Sequence, residues 1–166
     1  MSQDITMFQK SKTPDVSCEK KDQSCHMLSQ LKLCVVEDNP NNAELMREFL
    51  EVLGVVNTYF FDDARSCLTF LKKSKPDINL FLLDLSLPVM DGFSLLSSIK
   101  RISVYKRSLF IAVTAMVLPK QIQKIKAVQF TYYIQKPICF DLFETLLKDA
   151  HQNLCKQDQR DFSCQN

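Results

Sequence analysis

The sequence predicts an α/β chain built as a doubly wound parallel sheet, with five strands in the order 2-1-3-4-5 and five helices. Three observations lead there. Five short runs are almost continuously apolar instead of alternating, which suits strands covered on both faces. The stretches between them carry helix caps and apolar residues at helical spacing, and strands joined by such long crossovers pair in parallel with right-handed connections. Finally, 166 residues at 46% hydrophobic and 24% charged suffice for one real core.

The strand runs are 31–36, 55–60, 79–83, 108–113 and 131–134. After the first, Asn39 is placed to cap a helix that starts at Pro40, puts Leu45, Phe49, Val52 and Leu53 on one face, and stops at Gly54. Asp62 is expected to cap a second helix carrying Ala64, Cys67, Leu68 and Leu71, ended before Pro76. A third, over 91–102, presents Phe93, Leu95, Leu96 and Ile99. A fourth, over 118–128, has Pro119 in its first turn and is polar except for Ile122, Ile125 and Val128. The last, over 138–150, presents Ile138, Leu142, Phe143, Leu146 and Leu147. Around this unit, residues 1–30 read as a polar extension and 151–166 as a short frayed tail.

Composition excludes much chemistry. The two glycines, Gly54 and Gly92, lie far apart, so neither a Gly-rich dinucleotide loop nor a Walker loop is present. The two histidines, His26 and His151, stand near opposite ends, which rules out the helical two-histidine zinc motif. A net charge of +2 does not of itself imply nucleic acid or membrane. The basic group Lys100, Arg101, Lys106 and Arg107 reads as a solvated face, and a 16-residue tail cannot hold a helix-turn-helix domain. No apolar run approaches the ~18 residues of a membrane span, and the N-terminus lacks a signal core. Seven cysteines without a CxxC pair suit a reducing cytoplasm, with Cys34 and Cys67 as small core residues. Cys18, Cys25 and His26 have poor spacing for zinc.

In a doubly wound sheet, ligands sit at the carboxyl ends of the strands, beside the switch point between strands 1 and 3. Strand 1 ends in Glu37 and Asp38, and strand 3 in Asp84. Acids at strand ends are often just solvated loop residues. Three converging there repel one another unless they share a cation, and an all-oxygen set suits a hard divalent ion such as magnesium. Strand 4 ends at Thr114 and strand 5 runs into Lys136, a hydroxyl and an ammonium of the kind that hold phosphoryl oxygens.

The stretches VVEDNPNN (35–42), LLDLSLPVMDG (82–92), VTAM (113–116) and YYIQKPI (132–138) together closely resemble the receiver domain of two-component response regulators, over residues 31–150. The resemblance implies a flavodoxin-like fold with Asp84 as phosphoacceptor. It implies that Glu37 and Asp38 hold magnesium together with Asp84 and the Ser86 backbone carbonyl. Thr114 matches the switch hydroxyl, Lys136 the lysine at the acyl phosphate and Tyr133 the switch aromatic, while Pro88 and Asp91-Gly92 shape the entry to the third helix. One departure stands out: Gln129 occupies a position before strand 5 where the family commonly has glycine, so a positive φ there would strain it.

On this resemblance the chain is a signalling phosphoacceptor and not an enzyme. It takes a phosphoryl group from the phosphohistidine of a histidine kinase or phosphotransfer protein. Thr114 then moves toward the phosphate and Tyr133 turns inward, altering the face of helix 4, strand 5 and helix 5 that a downstream effector or a second copy would use. Met116 and Ser86 are expected to flank the route of a hydrolytic water. The alternative is an interaction module that keeps the fold without phosphorylation. The initial methionine and polar leader suggest a stand-alone receiver, whereas EDNPNN is wording frequent in hybrid-kinase receivers.

Overall fold

The computed structural model describes residues 27–115 and 118–163. Five strands, β1 (Lys32–Val36), β2 (Asn57–Phe61), β3 (Leu80–Asp84), β4 (Leu109–Thr114) and β5 (Tyr132–Gln135), form one sheet in the order β2-β1-β3-β4-β5. Every neighbouring pair is parallel. Among the described residues, five helices connect and follow them: α1 (Pro40–Val52), α2 (Ala64–Ser74), α3 (Gly92–Lys100), α4 (Pro119–Ala127) and α5 (Phe140–Ser163), with a 3-10 turn at Ser103–Tyr105.

Successive side chains on a strand point to opposite faces, so each inner strand feeds two cores and reads as continuously apolar. Leu33, Val35, Leu80, Leu82, Ile111 and Val113 pack on one side against Met46 and Leu50 of α1 and Phe143, Leu146 and Leu147 of α5. On the other side, Cys34, Val36, Phe81, Leu83, Phe110 and Ala112 meet Cys67 and Leu71 of α2, Leu95, Leu96 and Ile99 of α3, and Ile125 of α4. Each fully buried leucine or phenylalanine contributes roughly 1.5–3 kcal/mol to holding these layers together. Cys34 and Cys67 are both buried in the second core, their sulfurs 3.8 Å apart.

The caps hold most helix starts where the residues place them. Asn39 Oδ1 accepts hydrogen bonds from the Asn41 and Asn42 amides at 3.0 and 3.2 Å, with Pro40 opening α1. Gly54, at φ 72°, follows the end of that helix in the left-handed region that glycine tolerates. The cap of α2 is Asp63 and not Asp62: its Oδ1 accepts from the Arg65 and Ser66 amides at 2.7 and 2.9 Å. Two adjacent aspartates offer the same chemistry, and the extended backbone at Asp63 decides between them.

Two boundaries correct the sequence reading further. The second strand begins at Asn57 instead of residue 55; Val55 instead packs into the core beside α1, and β2 is the half-exposed sheet edge. The larger correction is at the C-terminus, where residues expected to fray continue α5 to Ser163. Ala150, His151 and Leu154 extend the inward stripe of Leu146 and Leu147 by another two turns, with Ala150 fully buried and Leu154 packed on the core. That stripe is hard to see in HQNLCKQDQR because glutamine, lysine and aspartate fill the rest of it. No helix among the described residues is long and apolar enough to cross a membrane.

Candidate functional site

The topology brings the predicted carboxylates together. Because β1 and β3 are neighbours with Val36 paired to Leu83, the residues just beyond β1 lie beside the end of β3. Glu37, Asp38 and Asp84 each offer an oxygen, all within 4.8 Å of one another; Glu37 and Asp84 are buried and Asp38 faces solvent. Thr114 ends β4, the next strand, and is buried. Lys136 follows β5 and hydrogen-bonds its backbone amide to the Thr114 carbonyl at 2.8 Å.

Lys136 spans the cluster. Its ammonium donates to Glu37 Oε1 at 2.8 Å and to Asp84 Oδ2 at 2.7 Å. Burial acts to lower the Lys136 pKa, but the hydrogen bonds and charges of Asp84 and Glu37 together outweigh it and hold the group above the ordinary lysine value. The lysine therefore stays charged at neutral pH. The Lys136–Pro137 peptide bond is cis.

Three of the four oxygens of Glu37 and Asp84 accept hydrogen bonds. The Ser86 amide donates to Asp84 Oδ1 at 2.8 Å, leaving Oδ2 to Lys136. Asn42, in the first turn of α1, donates through Nδ2 to Glu37 Oε1 at 2.9 Å. Glu37 Oε2 is buried and accepts no hydrogen bond; Lys136 Nζ approaches it at 2.7 Å as a charge contact alone. A buried carboxylate oxygen without a donor is costly by itself. Beside two further carboxylates it belongs to a donor set of hard oxygens that fits a magnesium-sized divalent cation.

The loop after β3 is held close by two residues of the DG pair. Asp91 caps α3 through a 2.7 Å bond from the Ser94 amide, and that bond lowers its carboxyl below the usual range. Gly92 begins the helix against the end of β3. A Cβ there would sit 2.3 Å from the Asp84 carbonyl oxygen, so only glycine permits the approach.

Other expectations meet the structure differently. Tyr133 is already inside, 5% exposed in the same core as Ala112 and Ile125, whereas the family resemblance implies that it turns inward only after Thr114 moves. Ala112 is its β4 register partner, and that small side chain leaves room for the ring. Gln129 does adopt φ 68°, so the departure from glycine is a strained one. Its carbonyl and its side-chain oxygen both accept from Lys100 Nζ, at 3.2 and 3.0 Å, which holds that turn. Met116, Cys18, Cys25 and His26 lie outside the described residues. Two polar neighbours escaped the sequence reading: Asn42, and Gln121 of α4, whose Nε2 donates to Thr114 Oγ1 at 3.2 Å. Asn42 lies in the quoted EDNPNN stretch, one helical turn after its N-cap, so its reach to Glu37 could have been read from that spacing.

Comparison with known proteins shows the family and the fold. The family model described as "Response regulator receiver domain" matches residues 33–148. Among curated proteins, the peroxide stress-activated histidine kinase mak1 of Schizosaccharomyces pombe is 31% identical over 114 residues, covering 66% of this chain but 7% of the kinase. The chain thus spans a small fraction of that relative. Among solved structures, the chemotaxis protein CheY4 of Vibrio cholerae superposes with a TM-score of 0.66 at 24% identity, covering 72% of this chain and 98% of that one. The receiver domain of sensor histidine kinase PA1611 from Pseudomonas aeruginosa, which has a magnesium ion coordinated in its active-site cleft, gives 0.65 at 24% identity, covering 74% and 98%. On the match over residues 33–148, this chain belongs to the response regulator receiver domain family.

Proposed function

We propose that this chain is a phosphoacceptor of a two-component or phosphorelay pathway, taking a phosphoryl group from a phosphohistidine onto Asp84. The observation that carries the reading is the Glu37–Asp38–Asp84 cluster spanned by Lys136. The phosphodonor is a histidine kinase or a phosphotransfer protein, the setting the cytoplasm, and the output a partner protein.

The chain's own residues account for the steps. Asp84 supplies the attacking carboxylate oxygen; the bond from phosphorus to the histidine nitrogen breaks as the bond to that oxygen forms. The Ser86 amide fixes Oδ1 and so orients the carboxylate before attack. Lys136, within 2.7 Å of Oδ2, is close enough to follow the new phosphoryl oxygens as a fixed positive charge. Thr114 supplies a hydroxyl donor from the next strand. Glu37, Asp38, Asp84 and the Ser86 carbonyl would hold magnesium, which when bound neutralises charge on the phosphoryl oxygens. Positioning and electrostatics do the rest.

The test is phosphorylation of the wild type and Asp84→Asn with a small acyl-phosphate donor and magnesium. Stoichiometric acid-labile, base-labile label is expected on the wild type and none on the variant. Equal labelling of the variant would overturn Asp84 as acceptor, and an unlabelled wild type would favour the phosphorylation-independent module.

A further inference from the structure

Charge is distributed unevenly along this chain. Residues 92–140 hold eight of its 21 lysines and arginines and none of its 19 aspartates and glutamates, which leaves the rest net acidic. Lys136, one of the eight, is engaged in the carboxylate cluster. Five of the others fall on α3 and α4 or at their ends, and α4 carries three lysines and no acid. The two helices form one surface. Lys124 Nζ of α4 lies 3.9 Å over the ring of Phe93 in α3, and Lys100 at the end of α3 donates to Gln129 just past α4.

Arg101, Lys120, Lys124 and Lys126 are exposed, and no ion pair among the described residues engages them. Asp91, the cap of α3, attracts Lys124 from the same surface. Lys120 and Lys124 stand one turn apart on the same side of α4, where like charges repel. The core does not require them, because α4 buries Ile125 and not its lysines. An anionic partner would relieve that repulsion. Apolar groups lie among the cations: Phe93 and Ile122 are half-buried, and Leu118, the residue before α4, is 55% exposed. Nucleic-acid contacts go mostly to phosphates and sugars and leave such groups unused. Carboxylates on a partner that also brings apolar side chains match both features, as on an amphipathic helix.

We propose that the α3–α4 surface docks an acidic amphipathic segment of a partner protein. Its carboxylates meet Arg101, Lys120, Lys124 and Lys126, and its apolar side chains cover Leu118 and Phe93. The inference goes beyond the phosphoacceptor reading and does not depend on it, since it rests on α3 and α4 and not on Asp84.

The probe is a fluorescein-labelled amphipathic peptide with glutamates on one face and leucines on the other, titrated with the full chain and followed by anisotropy. Its glutamine analogue and a DNA duplex of equal charge run beside it. Saturable binding with a Kd below about 1 mM is expected, weakening several-fold as salt rises from ~50 to ~200 mM. Amide shifts in the isotope-labelled chain should gather on 93–101 and 118–127. Lys120→Gln/Lys124→Gln/Lys126→Gln, which keeps helix propensity, should bind about tenfold more weakly, roughly twofold for each exposed pair lost. Lys72→Gln/Lys73→Gln/Lys75→Gln removes the same charge from exposed positions at the end of α2 and should change binding little. Absence of saturation, shifts gathered elsewhere, equal loss in the two triple variants, equal binding of the glutamine analogue, or tighter binding of the duplex would each overturn the proposal. Should the α4 variant fail to fold, the shift map of the wild type decides alone.

Discussion

Replacing Lys136 by methionine keeps the length and apolar stem of the side chain and deletes its charge. Its side chain is 16% exposed, and it faces Glu37 and Asp84 carboxylates that are 0% and 3% exposed. With the ammonium gone, two buried carboxylates with oxygens no more than 4.8 Å apart lose the cation they share. At an effective dielectric constant of about 20 their repulsion alone is roughly 3.5 kcal/mol, in line with the ~3–5 kcal/mol typical of breaking a buried pair. Partial access of solvent and the chance to protonate one carboxylate reduce this, so about 3 kcal/mol of lost stability is expected at pH 7. At a urea slope of about 1.5 kcal/mol/M that lowers the unfolding midpoint by roughly 2 M in chelator. Adding magnesium should restore most of the loss, because a cation bound only by the folded state stabilises it by mass action. By the same linkage the variant should bind magnesium at least as tightly as the wild type. An unchanged midpoint in chelator, or a deficit that magnesium leaves untouched, would refute the idea that Lys136 neutralises this cluster.

Three further outcomes follow from single positions. Gly92→Ala must push a Cβ away from the Asp84 carbonyl by about 1 Å to reach ordinary contact, and overpacking of that kind costs ~1–3 kcal/mol; thermal unfolding and the phosphorylation rate should both fall, and loss of either alone would separate the helix start from the acceptor. Gln129→Gly should stabilise by up to about 1 kcal/mol by relieving a positive φ, with the lost Lys100 contact to the amide oxygen as the offset; a lower urea midpoint would show the contact to outweigh the strain. Asp63 is held below the usual carboxylate range by its side-chain and backbone bonds to Ser66, and Asp91 by the Ser94 amide. Since both folded values lie below the unfolded value of about 3.9, their stabilisation is present above that pH and lost as pH falls through the folded values. The Asp63→Asn/Asp91→Asn variant keeps both acceptors without titrating, so its stability should fall less steeply below pH 4 than that of the wild type in acid urea titrations.

The strands and their order were legible because residues such as Leu80–Leu83 are apolar at every position, a pattern that only a strand buried on both faces needs. The carboxylate cluster was legible for a topological reason: once β1 and β3 are neighbours, residues at their ends cannot avoid one another. Three features were not legible, each because a local signal was ambiguous or absent. Adjacent Asp62 and Asp63 are chemically equivalent caps until the backbone selects one. The continuation of α5 rests on Ala150, His151 and Leu154, too sparse an inward stripe to stand out among polar residues. The contact of Gln121 with Thr114 joins two elements whose relative position no sequence spacing records.

That contact changes how the proposed switch would work. The family resemblance implies that Thr114 moves first and that Tyr133 turns inward into the space it leaves. Here the ring is buried while Thr114 accepts from α4, so inward Tyr133 and a Thr114 held by Gln121 coexist. A hydroxyl can accept a hydrogen bond and donate its own proton at the same time. Movement of Thr114 toward Asp84 would therefore draw on the Gln121 amide directly, and the amide either follows, carrying the start of α4 with it, or releases. On the proposed reading the signal reaches the surface through α4, along a hydrogen bond between two side chains. Burial of Tyr133 then sets how much room the shift has, and the ring need not turn for the face to change.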